Sequence, residues 1–274
     1  MKVYGALLLY FVLIVSCSKV QYRFMDVKCA TDPCPDFDYK RVSIVNDEGK
    51  FIKDTIIEKT AKRCGVFLPC QRYIYCATYK DSLGRIISKD YISLMATGRR
   101  WKFQPENQNE IVIQYEHDER KNIDLSSFNI NRQLKLQSTF VKEEITGAIE
   151  NSQEVWMHPF RSNQYNFTEI APFPHVTFPL QVGNSWSSSL TIGNGWGDWG
   201  NTTVYCEYVV AKEIQMKVAG KGAMKCWVIE SKASMPLGVS THNFYFNEKY
   251  GFIKMEYRNY AGQTLYIELV KVVD

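Results

Sequence analysis

His158, Arg161 and His175 are the residues whose types and spacing come nearest to a chemical group, because the two histidines bracket a stretch broken by Pro159, Pro172 and Pro174. Folded back on itself, that loop would offer an anion site or a proton-transfer pair. The four histidines His117, His158, His175 and His242 show no metal-ligand spacing, so hydrogen-bonded or solvated rings are expected rather than a metal centre. No serine sits in Gly-x-Ser-x-Gly. A hydrolase built on His158 and His175 is therefore the weakest of the readings the sequence supports, and no catalytic residue, cofactor or metal is expected.

Seven cysteines follow Cys17: Cys29, Cys34, Cys64, Cys70, Cys76, Cys206 and Cys226. In an oxidising compartment they read as a disulfide framework with one thiol left over. Spacing suggests Cys29 with Cys34, Cys64 with Cys70, and Cys206 with Cys226 across neighbouring strands, although spacing alone does not decide connectivity. A bridge from Cys206 to Cys226 would stabilise the fold by about 3 kcal/mol on the chain-entropy account. Cys76 would remain as a thiol, on an expected strand without the sharp turn that presents a nucleophile, and nothing in sequence brings a histidine to it.

The sharpest local feature is Gly193-Asn194-Gly195-Trp196-Gly197-Asp198-Trp199-Gly200. Alternating glycines free the backbone, and Trp196 and Trp199 have little local sequence to pack beneath. Exposed, the two indoles would make a platform for sugar rings or an apolar ligand; folded down, they would join the core, as tryptophan more often does. The same alternatives hold for Trp186 and Trp227, which are expected to point inward.

Met1 and Lys2 precede an apolar run of 13 residues from Val3 to Val15, and Ser16-Cys17 closes it. A spanning helix needs about 20 residues, so residues 1–16 read as a cleaved signal peptide. Ile14-Val15-Ser16-Cys17 resembles the lipobox of bacterial lipoproteins, which implies a lipid on Cys17 and a membrane tether over 17–40; ordinary cleavage and secretion is the alternative. Losing Lys2 takes the formal net charge from +4 to +3, with acids and bases interspersed, so no nucleic-acid partner is expected.

The elements that must position these residues are strands. Downstream of the tether the pattern is period two, rich in β-branched and aromatic residues and punctuated by turns. Residues 40–45 with 51–57, and 72–79 with 85–94, read as hairpins, 110–116 and 133–142 continue the series, and these make up an N-terminal β-hairpin region over 41–150. Prolines between 151 and 186 forbid a central strand and suggest a crossover. A C-terminal antiparallel β-domain over 151–274 follows, with strands at 187–192, 202–210, 214–218, 224–231, 241–247, 252–257 and 264–272. The expected fold is mostly β.

Three stretches carry a resemblance: Pro179-Leu180-Gln181-Val182-Gly183-Asn184-Ser185-Trp186, Ala219-Gly220-Lys221-Gly222-Ala223-Met224-Lys225-Cys226, and Tyr245-Phe246-Asn247-Glu248-Lys249-Tyr250-Gly251-Phe252-Ile253-Lys254. They resemble landmarks of a widespread family of uncharacterised envelope proteins related to the curved, half-open barrel of periplasmic lipoprotein carriers. The resemblance covers about residues 156–272, with Lys221 and Met224 departing from the commoner wording. It implies a curved, half-barrel-like C-terminal sheet and carries no activity. Asp54-Thr55-Ile56 and Asp81-Ser82-Leu83 resemble the O-glycosylation tripeptide of Bacteroidota-type envelope proteins, while Ser18-Lys19-Val20-Gln21 lacks the acidic run of their surface-export signal. The expectation is an envelope lipoprotein, held to the outer membrane and facing the periplasm, that binds an apolar small molecule or an envelope protein partner without catalysis. Glycan recognition or a scaffold role through Trp196 and Trp199 is the alternative, with the cell surface as the alternative location. A carrier would leave inward apolar side chains unpacked; a structural lipoprotein would fill the same space with its own chain.

Overall fold

Tyr73, Tyr75, Ala77 and Tyr79 alternate along the first strand of the main sheet and are all buried, the pattern of a pleated strand that turns one face to a core. The computed structural model describes residues 24–30, 36–45, 51–116, 140–192, 202–236 and 238–273, and within them the chain is mostly β and antiparallel. Strands β1 (Phe37–Val45) and β2 (Phe51–Ala61) pair only with each other, as a two-stranded ribbon. The main sheet has twelve strands: β3 (Arg72–Lys80), β4 (Ile86–Arg100), β5 (Asn109–Tyr115), β6 (Glu143–Glu150), β7 (Glu154–Met157), β8 (His175–Thr177), β9 (Ser185–Thr191), β10 (Thr203–Lys217), β11 (Ala223–Met235), β12 (Gly238–Asn247), β13 (Gly251–Arg258) and β14 (Thr264–Val273).

Every strand pairs with its sequence neighbours except at one place, and the last strand, β14, pairs with the first, β3. The meander is thus joined end to end, and its one unpaired junction falls mid-chain between β8 and β9. Side chains close that seam. The His175 ring sits edge-on to Trp186 at 6.0 Å and to Tyr208 at 5.7 Å, and Trp186 stacks on Tyr208 at 5.3 Å between centroids. The sequence boundary at 150/151 lies at the turn from β6 to β7, inside this sheet.

The proline-bearing stretch after β7 runs through the interior of the sheet, and a 3₁₀ helix at Asn163–Ile170 forms its centre. Phe160, Phe167, Ile170 and Ala171 are fully buried. Phe160 meets Tyr75 of β3 at 5.1 Å, Phe167 stacks on Tyr79 at 5.6 Å and meets Tyr257 of β13 at 6.1 Å, and Tyr165 stacks on Tyr115 of β5 at 6.0 Å. The Pro172 carbonyl accepts a hydrogen bond from His242 Nδ1 of β12 at 2.8 Å. One segment thus touches strands on opposite sides of the sheet, and each buried phenylalanine contributes about 1.5–3 kcal/mol by leaving water. The crossover expected over 151–186 is this filling, with β7 and β8 as the short strands at the edge that prolines permit.

Buried charges tie the outlying pieces to the sheet. Glu150, at the end of β6, accepts backbone N–H bonds from Gly65, Val66 and Phe67 at 2.7, 2.8 and 2.9 Å, which fixes the loop ahead of β3. Asp38 of the ribbon is fully buried between Lys62 Nζ, 3.0 Å away, and the Arg100 guanidinium.

Three sequence expectations are corrected. Residues 202–210 and 214–218 are one strand, β10, because an irregularity between Val210 and Lys212 absorbs the break in alternation without ending the ladder. The bridge from Cys206 to Cys226 does not form: Cys226 lies opposite Ile214, eight residues along β10 from Cys206, or about 26 Å, far beyond disulfide reach. In this structure Cys29 and Cys70 are unbridged and Cys64 is disulfide-bonded to a partner outside the described residues, so neither Cys29–Cys34 nor Cys64–Cys70 is the pairing seen. Cys34, Cys17 and the expected strand at 133–142, up to residue 139, also lie outside them.

Candidate functional site

Strand alternation and register together build a groove over β9–β12. On β10, Glu207 and Val209 are exposed; on β11, Glu230 and Lys232; on β12, Thr241 is exposed and Asn243 partly so. The ladders set Glu207 beside Ser187 and Lys232, Lys232 beside Thr241, and Glu230 beside Val209 and Asn243. The result is an open cavity of about 750 Å³ whose walls carry carboxylates, hydroxyls, an ammonium and an amide. Lys232 Nζ pairs with Glu207 Oε2 at 2.8 Å, and Trp186 and Tyr208 reach the cavity from beneath. Such walls offer hydrogen-bond donors and acceptors in a fixed pattern, with Val209 as an apolar patch between them, and none of the groups is placed as a nucleophile with a base.

The histidines expected to cooperate have different partners. His158 is packed among Trp156, Trp101 and Phe173, and its Nδ1 faces Arg161 Nη1 at 3.0 Å. Burial, reinforced by the Arg161 charge, pushes its pKa down to about 3, so the ring is neutral. Arg161 in turn is held by Glu144 and by Glu169 at 2.8 Å. His175 instead sets Nε2 against Glu154 Oε2 at 2.9 Å, at the seam. Cys76 is half-buried near Thr78, Lys89, Glu268 and Asp90, and burial raises its pKa.

Of the four tryptophans singled out in the sequence, Trp227 joins the core with Lys225 Nζ 4.3 Å over its ring, and Trp186 is half-buried beside the groove. Trp196 and Trp199 lie outside the described residues. Glu207, Glu230, Lys232 and Asn243 were not legible as a site. Their signal is polar alternation on three strands, which any solvated sheet face also shows; only the register brings them together.

Beside the aromatic filling lies a much smaller space. The cavity bounded by Val66, Phe67, Tyr73, Tyr75, Leu94 and Met157 measures about 10 Å³. That is at the lower limit of the roughly 10–15 Å³ a cavity needs to hold one water.

No family model matches the chain, and no curated protein matches it. Two solved structures do. One is a Bacteroides fragilis protein assigned to export, with a YmcC-like fold, at 9% identity and a TM-score of 0.43. The other is a Parabacteroides distasonis protein assigned as a lipoprotein, at 10% identity and a TM-score of 0.45. Each match covers 77% of this chain and 100% of the other.

Proposed function

We propose that this chain is a lipid-anchored envelope protein that recognises a hydroxyl-rich ligand of the glycan class, without catalysis, in the groove over β9–β12. The observation that carries the reading is the groove itself, about 750 Å³ walled by Glu207, Glu230, Lys232, Asn243 and the hydroxyls of Ser187 and Thr241. Carboxylate and amide groups accept and donate to sugar hydroxyls, and a small apolar patch suits the carbon face of a sugar ring. An apolar carrier would need unfilled space on the inner face of the sheet, where Phe160, Tyr165, Phe167 and Ile170 are packed. The anchor is the lipid on Cys17, and the missing acidic run after it favours the periplasmic leaflet of the outer membrane.

The test is retention of the body from Ser18 onward on immobilised envelope oligosaccharides, with and without the paired change Glu207→Ala and Glu230→Ala. Retention by the native body that the double variant loses, with its thermal transition unchanged, supports the reading. Absence of retention by the native body, or equal retention by both, sinks it. Native mass spectrometry of the same body tests the apolar alternative, since a co-purifying hydrophobic adduct would return the carrier reading to first place.

A further inference from the structure

The described part of the chain begins as a strap across the end of β4. Ala30 N donates to Thr97 O at 2.6 Å, Arg72 Nη2 donates to Met25 O at 2.8 Å, and the Arg72 guanidinium lies 5.8 Å over the Phe24 ring. The loop ahead of β3 meets the same stretch of β4 from the other side, where Cys70 N donates to Ala96 O at 3.0 Å. Between them is Gly98, with φ of +79°; a Cβ there would stand 2.1 Å from the Ala30 oxygen and 3.2 Å from Pro69 Cβ. Only glycine lets strap and loop come this close.

Cys29 is next to Ala30 and Cys70 next to Pro69, so this crossing brings two thiols together from chain positions 41 residues apart. Cys70 itself is held at φ of +68°, a left-handed conformation uncommon for a residue with a side chain. The two thiol groups are within hydrogen-bond reach of each other, and burial together with Cys70 pushes the Cys29 thiol up to about 11. Neither pairs with the cysteine near it in sequence.

We propose that Cys29 and Cys70 form a disulfide in the mature protein, stapling the membrane tether to the sheet. The chemistry is thiol–disulfide exchange with a disulfide oxidant of the export compartment. The Cys29 or Cys70 thiolate attacks a sulfur of the oxidant and expels one thiolate; the second cysteine, deprotonated, attacks the mixed disulfide and expels the other. One protein disulfide forms, two protons leave, and two electrons reduce the oxidant to a dithiol or to two thiols. The half-buried Cys29 thiol, its pKa raised, is a slow nucleophile without such a catalyst, and the exposed Cys70 is open to one. With lipid on Cys17, eleven residues separate anchor from staple, a reach of about 40 Å at full extension.

The inference rests on the reading that the chain is exported, and its test separates the two. Full-length protein from an envelope fraction is alkylated before reduction, then cut between Cys29 and Cys34 and between Cys64 and Cys70. The expected result is a Cys29 peptide joined to a Cys70 peptide, both unlabelled until reduction, and complete labelling of Cys29 in a Cys70→Ser variant. Full alkylation of Cys29 and Cys70 while Cys64 stays bridged overturns the staple, as does either cysteine joined to a different partner. Purified reduced protein treated with oxidised glutathione gives the second readout. Failure of the pair to join there also overturns it, whereas joining in glutathione with all three cysteines reduced in cells upholds the pairing and removes the export reading.

Discussion

His242 is fully buried in β12, stacked 3.7 Å over Tyr257 at an interplanar angle of 11°, with Nδ1–H on the Pro172 carbonyl. Burial pushes its pKa from 6.5 down to about 3, against a smaller upward pull from that hydrogen bond. Because the folded value lies below the unfolded one, the stability this ring allows is complete above about pH 6.5. It is lost as pH falls from there towards about 3, since the unfolded chain takes up a proton the folded chain refuses. By pH 5 the loss attributable to one such ring is about 2 kcal/mol. Replacing His242 with Gln should remove one proton from the acid slope, leaving the similar share of His158. Urea unfolding of both proteins at pH 7 and pH 5 measures it: the gap between them should narrow by about 2 kcal/mol on acidification, and a constant gap rejects the assignment.

At the scale of elements, the molecule depends on the segment that fills the sheet. Phe167 stacks on Tyr79 and meets Tyr257 edge-on, so it bridges β3 and β13 across β14. Phe167→Ala leaves a void that the surrounding rings cannot all close, and a cost of about 3–5 kcal/mol is expected in equilibrium unfolding. A cost under about 1 kcal/mol would mean that the segment is not part of the cooperative core. The strands around it were legible because Tyr73, Tyr75, Ala77 and Tyr79, or Leu265, Ile267 and Leu269, alternate in type as they alternate in burial. The filling was not. Prolines at 159, 172 and 174 exclude a central strand but are silent on whether the chain passes over a sheet or through it, and a 3₁₀ helix carries no periodic apolar stripe to announce its environment. Disulfides failed for a related reason: spacing favoured cysteines close in sequence, while the contact between Cys29 and Cys70 depends on a crossing made possible by Gly98. The groove was hidden in the same way, since Glu207, Lys232 and Thr241 meet only after three strands take their register.

At the scale of the whole molecule, tether and sheet have to be read together. The strap docks at Arg72, where β3 starts, whereas the turn at Asp81–Arg85, with Leu83 exposed, lies beyond Lys80 at its other end, roughly 30 Å away along the strand. On the proposed reading such a body would meet the membrane through its lipid, because the exposed Leu83, Ile86 and Ile87 at the far end of a strand are too few to replace acyl chains that contribute about 0.8 kcal/mol per buried methylene. Lipidation at Cys17 is therefore expected to be the whole of the attachment, which makes it separable by one atom: Cys17→Ser keeps the size of the side chain and removes the sulfur that accepts the diacylglyceryl group. Cells fed an alkynyl fatty acid should label the native protein and leave the variant unlabelled, and the body from Ser18 onward should stay in the supernatant when mixed with lipid vesicles. Label on the variant would move the acyl chain to another residue. Sedimentation of the body with vesicles would show that the protein surface, and not the lipid alone, holds it to the membrane.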